Sequence, residues 1–145
     1  MGNYNSINKL SFYDMQNIIN SNSINSINSN YIIINTMEIN EQDCLIFNTL
    51  TANREIDLFE NNLDKIIGKN IVIYGKNSNC DKLFNKYNQI KKMGFANVYL
   101  YIGGLFEWLL LQEIFGFEEF PTTSEVIDFL KYKPDNISNN FLLLQ

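Results

Sequence analysis

Residues 71–81 read Ile-Val-Ile-Tyr-Gly-Lys-Asn-Ser-Asn-Cys-Asp: an apolar run that stops at a glycine, a short polar loop, then the start of an amphipathic segment. Consecutive large apolar residues cannot alternate between a core face and a wet one, so they describe a strand covered on both faces, as in a parallel sheet. From Asp81 to Met93, the positions Leu83, Phe84, Tyr87 and Ile90 share helical spacing and are expected to face inward, with Gly94 as the stop. A buried parallel strand that feeds a helix through a polar loop leaves that loop at the carboxyl end of the sheet, where α/β proteins bind ligands. Gly75, Lys76, Asn77, Ser78, Asn79, Cys80 and Asp81 are therefore the candidate site.

Strand and helix alternate along the rest of the chain. Ser11 can cap a short helix with Phe12, Met15, Ile18 and Ile19 on one face and Asp14 in its first turn. An Asn- and Ser-rich stretch at about 20–30 has loop composition. Tyr31–Asn35 and Cys44–Asn48 read as buried strands. Residues 53–67 carry Ile56, Phe59, Leu63, Ile66 and Ile67 at helical spacing, and Gly68 stands where a left-handed cap is wanted. Val98–Ile102 is the last strand, Gly103-Gly104 a turn, and Leu105–Phe115 a helix apolar almost all round, hence expected to be buried. Thr122-Thr-Ser-Glu125 has capping-box spacing and predicts a final helix with Val126, Ile127 and Leu130 inward, ended by Pro134. The pattern predicts one α/β domain over 1–134, with a mostly parallel central sheet and helices on both faces, and a tail at 135–145.

Composition narrows the function. A formal charge of −5 argues against a nucleic-acid or anionic-membrane surface, because both need a basic patch. No apolar run approaches the roughly 20 residues of a membrane span. The chain has no histidine, which excludes serine-histidine and cysteine-histidine hydrolysis and His-ligated metals in their usual forms. Cys44 and Cys80 lack CxxC spacing, and no cofactor or metal is expected. The N-terminus has neither a basic segment nor an apolar h-region, so a soluble protein of a reducing intracellular compartment is expected. The apolar tail Phe141-Leu142-Leu143-Leu144 is a candidate docking segment for a protein partner.

Two further motifs carry a resemblance. Met93-Gly-Phe-Ala-Asn-Val-Tyr99 leads into the last strand, and Gly103-Gly-Leu-Phe-Glu-Trp108 follows it. In this order, behind the strand, loop and helix of 71–93, they resemble the rhodanese-like domains over roughly residues 9–116. The long ending Leu105–Pro134 is similar to a subgroup found in large DNA viruses, which would imply host cytoplasm or virion. The resemblance implies a cysteine as the first loop residue, whose thiolate takes sulfur as a persulfide while the loop amides stabilise the anion. Gly75 occupies that position, and Asn35 and Met37 occupy the positions of the family's paired Asp and Arg.

Two functions follow as expectations. The leading one is a binding or scaffold module without standard sulfurtransferase activity, keeping an anion-accepting loop at Gly75–Asp81. The alternative is a thiol-dependent sulfurtransferase or redox enzyme that uses Cys80, near a helix N-terminus and beside Lys76 and Lys82, as a displaced nucleophile. At about 1.5 Å of rise per helical residue, a shift of this size is expected to carry the sulfur several ångström away. Cys44 and Trp108 are read as core residues.

Overall fold

The computed structural model describes residues 7–21 and 30–135. Among the described residues four strands, β1 (Asn8–Leu10), β2 (Tyr31–Asn35), β3 (Asn70–Tyr74) and β4 (Val98–Tyr101), alternate with five helices. These are α1 (Phe12–Ser21), α2 (Ala52–Asn61), α3 (Leu63–Ile66), α4 (Asp81–Lys92) and α5 (Gly104–Phe115). The sheet order is β1-β4-β3-β2, and every pairing is parallel. The tail Phe141-Leu142-Leu143-Leu144 and most of the Asn- and Ser-rich stretch lie outside the described residues.

Successive strand residues point to opposite faces, and each face has its own core. Ile33, Val72, Tyr74 and Tyr101 meet Met15, Ile18 and Ile19 of α1 and Leu105, Trp108 and Leu109 of α5. Ile32, Ile34, Ile71, Ile73, Val98 and Leu100 meet Phe59, Ile66, Leu83 and Ile90 of α2, α3 and α4. Trp108 is fully buried as packing, edge-on to Tyr101 at 6.1 Å and to Phe120 at 4.9 Å. Its indole N–H donates to the Pro121 carbonyl at 3.0 Å.

Several expected elements differ. Cys44–Asn48 is no strand, although Cys44, Leu45 and Ile46 are buried. Asn48 takes a left-handed φ of 71°, which turns the chain, and the run finds partners outside the sheet. The Ile46 N–H donates to the Tyr74 hydroxyl at 3.0 Å, the Leu45 N–H to Thr123 Oγ1 at 3.0 Å, and the Phe47 N–H to the Pro121 carbonyl at 3.0 Å. The helix expected over 53–67 breaks at Asn62 (φ −130°, ψ 27°), a residue type that competes with the helix for local hydrogen bonds. Leu63 is consequently half-buried, Ile56 and Ile67 are exposed, and Gly68 has no left-handed φ.

The final helix is absent. The hydroxyls that would cap it are spent elsewhere: Thr122 donates to the Ser124 carbonyl, Thr123 accepts from Leu45, and Ser124 donates to the Asp43 carbonyl. A 3-10 turn at Phe129–Tyr132 remains, with Ile127 99% exposed. Phe84 and the far end of α5 are also exposed, Ile114 reaching 70%. Strand β1, with its polar Asn-Lys start at the sheet edge, carries no periodic signal from which a strand could be read.

Tyr74 joins the sheet to the 44–49 run, and Thr49 Oγ1 lies 2.8 Å from its hydroxyl. Tyr74→Phe leaves the buried Ile46 N–H without its acceptor, so unfolding in urea should show a loss of about 1–3 kcal/mol. An unchanged midpoint would mean that this hydrogen bond does not tie the run to the sheet.

Candidate functional site

The loop 75–80 leaves the carboxyl end of β3 and is held from the side by α5. The first N–H groups of a helix lack partners within it, and here two of them reach the loop. The Leu105 N–H donates to the Gly75 carbonyl at 3.0 Å and the Phe106 N–H to the Lys76 carbonyl at 2.9 Å. This approach demands a glycine at 104. Its φ is +70°, and a Cβ there would stand 2.6 Å from the Gly75 carbonyl oxygen and 3.0 Å from the Asn77 nitrogen.

Within the loop, Asn77 is buried and acts as a clasp. Its Oδ1 accepts from the Asn79 N–H at 2.9 Å, and its Nδ2 donates to the Tyr132 carbonyl at 2.9 Å. Lys76, Asn77, Asn79, Cys80 and Asp81 line a cleft of about 400 Å³, together with Thr36, Met37, Glu41, Lys82, Lys131, Lys133 and Asp135. Ser78 stands exposed and outside that lining, and Gly75 is buried.

Gly75 is covered by Cys80. A Cβ at position 75 would lie 2.8 Å from Cys80 Sγ and 2.9 Å from Thr36 Oγ1, closer than unbonded atoms approach. One volume at the end of β3 can hold a side chain from position 75 or the sulfur of Cys80, and Cys80 has it. Cys80 is half-buried and lines the cleft, and its sulfur faces Thr36 Oγ1 at 3.7 Å. Cys80 precedes the first turn of α4 in extended conformation (φ −121°, ψ 104°), so helical rise does not set its position, and the loop folds its sulfur back over Gly75.

Three lysines near the loop are paired with carboxylates. Lys76 Nζ meets Glu41 Oε2 at 2.8 Å, Lys82 is bound to Glu38, and Lys86 to Glu55. The Lys76 bond holds the Glu41 carboxyl below its ordinary range against a smaller opposing effect of burial. The Glu38 bond raises the Lys82 ammonium. Lys76 and Lys82, expected to favour a thiolate at Cys80, are thus largely spent on carboxylates. Burial raises the Cys44 thiol, which contacts the Ser124 carbonyl at 3.6 Å within the core. Both cysteines are free.

Asn35 forms a neutral clasp with Gln42. Each side-chain amide donates to the other, at 3.2 and 2.9 Å, and Asn35 Oδ1 also accepts the Met37 N–H at 3.0 Å. Thr36, Glu41, Lys131 and Lys133 line the cleft without being marked in the sequence. Nothing in their spacing marks them, because they reach the cleft from two segments that only the fold brings together.

The profile of the Rhodanese-like domain family matches residues 13–111. The chain belongs to the rhodanese-like domain family. Among solved structures it is similar to an uncharacterized protein from Saccharomyces cerevisiae, with a TM-score of 0.54 and 17% identity over 72% of this chain and 92% of that one. It is also similar to a thiosulfate sulfurtransferase from Pseudomonas aeruginosa, with a TM-score of 0.55 and 14% identity over 73% of this chain but only 19% of that one. At these identities the likeness is one of fold. No curated protein matches the sequence significantly. In this rhodanese-like domain the segment that carries Lys131 and Lys133 lies beyond the matched residues.

The shared volume predicts a coupling. Gly75→Ala should destabilise the domain by about 1–3 kcal/mol, and by clearly less in a Cys80→Ala background, since the competing sulfur is then gone. Equal costs in the two backgrounds, read from denaturant midpoints, would show that the side chains do not compete. Gly104→Ala meets backbone atoms and a left-handed φ, so it should cost about 3 kcal/mol or more, with no relief from Cys80→Ala.

Proposed function

We propose that this rhodanese-like domain transfers sulfur on Cys80, the thiol-dependent function of the two that the sequence leaves open. The observation that carries the reading is the sulfur of Cys80 in the volume that a side chain at position 75 would need, at the carboxyl end of β3 and on a residue that lines the cleft. Resemblance assigns the family's cysteine to position 75, so Cys80 offers the same element from a different point on the loop.

The proposed reaction begins when the Cys80 thiol gives its proton to solvent. The thiolate attacks the outer sulfur of a donor such as thiosulfate; a new S–S bond forms, the donor's S–S bond breaks, and sulfite leaves with the electron pair. Cys80 is then a persulfide. Attack of an acceptor thiolate on its terminal sulfur passes that atom on and returns the Cys80 thiolate, so no net oxidant or reductant is required. The Thr36 hydroxyl lies 3.7 Å from the sulfur, and its O–H can donate to the sulfur anion.

Incubation with thiosulfate should add the mass of one sulfur atom to Cys80 and none to buried Cys44. Transfer to a thiol acceptor should vanish in Cys80→Ser and fall about tenfold or more in Thr36→Val, the loss of a hydrogen bond to a charged group. If the wild-type protein neither takes up nor passes on sulfur, the reading is wrong and the domain is a binding module.

A further inference from the structure

Beyond residue 111, where the family profile ends, the chain runs back from the far end of α5 and closes one wall of the cleft. This segment is built into the site. Tyr132 is buried, its carbonyl holds the buried Asn77 amide, and the Lys133 N–H closes the turn on the Leu130 carbonyl at 3.0 Å. Lys131 and Lys133 flank Tyr132 and are therefore held at the cleft wall.

The charges lining the cleft are Lys76, Lys82, Lys131 and Lys133 against Glu41, Asp81 and Asp135, four cations to three carboxylates. Four of the chain's eleven basic residues thus gather at one cleft of a protein whose formal charge is −5. Lys76 and Lys82 are committed to Glu41 and Glu38, whereas Lys131 and Lys133 have no carboxylate partner within ion-pair distance among the described residues. Asp81 lies in the first turn of α4, where the helix N-terminus offsets its charge. Counted with Glu38, which Lys82 binds, the site holds four cations and four carboxylates, and without the two lysines of the C-terminal segment it would hold two cations against four carboxylates, so these lysines offset its acidic groups.

We propose that Lys131 and Lys133 are specificity-determining residues that make the cleft selective for anionic ligands at Cys80. The identification of that ligand as a sulfur donor rests on the function proposed for Cys80; the electrostatic role of the lysines does not. Thr36, Met37 and Asn79 complete the lining with uncharged groups, so discrimination by charge falls to the lysines.

The test uses the full chain carrying Cys80→Ser, which binds without reacting, and thiosulfate as the probe at low ionic strength. Amide shifts of residues 76–82 are followed by NMR during titration. Addition of Lys131→Gln and Lys133→Gln should weaken binding about tenfold and flatten its salt dependence, and Lys131→Arg with Lys133→Arg should restore both. Equal affinity with and without the lysines, or no binding to the Cys80→Ser protein, overturns the proposal. Failure of the Cys80 reading appears separately, as wild-type protein that binds thiosulfate at the lysine-dependent affinity and transfers no sulfur.

Discussion

The contact on which this site depends is the one between the first turn of α5 and the loop after β3. Neighbouring parallel strands end side by side, so the helix that follows β4 begins next to the loop that follows β3. The first N–H groups of α5 need acceptors and the loop carbonyls need donors; each supplies the other at Leu105 to Gly75 and Phe106 to Lys76. The cost is confined to Gly104, where only a residue without Cβ can take the required φ at that separation. With its backbone fixed by a neighbour, the loop depends less on its own side chains for its shape. That helps explain how the loop can keep its path with a glycine at 75 and with Ser78 and Asn79 exposed.

At the end of β3, volume is the scarce quantity. Thr36 from the end of β2, position 75 and position 80 converge there, and the separations admit two side chains but not three. Glycine at 75 and cysteine at 80 are one arrangement read at two places in the sequence. Charge follows a similar economy. The Asn35–Gln42 amide pair holds the loop after β2 without ions, and Gln42 Oε1 also accepts the first N–H of α2, from Ala52, at 3.2 Å. The ion pairs Lys76–Glu41 and Lys82–Glu38 are open to solvent and add little stability; their larger effect is to neutralise the loop lysines.

What could be read from the sequence was whatever has a local cause. The strands at 31–35 and 71–74, the helix after Asp81 with its stop at Gly94, and the loop between them follow from apolar runs, periodicity and a glycine with φ of 107°. The misplaced elements all have distant causes. An apolar run at 44–48 predicts a strand, but its N–H groups are claimed by Tyr74, Thr123 and Pro121. The capping-box spacing at 122–125 predicts a helix, but its hydroxyls answer to residues 43–45 or to each other. The place of Cys80 over Gly75 has a distant cause of the same kind. Whether Cys80 lies near position 75 depends on how the chain folds back across the end of β3, and no spacing rule in the sequence encodes that.

The failure of the last helix and the completion of the cleft have one geometric origin. Twelve residues of α5 carry the chain about 18 Å from the loop, and the segment after Gly116 must return over that distance to set Tyr132 on Asn77. A helix starting at Thr123 would withdraw Thr123 and Ser124 from the 43–46 run that lies along the way. Extended chain advances about 3.3 Å per residue, enough to cover the distance and still form the antiparallel bridge between Thr122 and Ile46. The turn at Phe129–Tyr132 comes at the loop and puts Lys131 and Lys133 on either side of the residue that clasps Asn77. The segment's irregular course is thus what lets residues outside the family profile take part in the site.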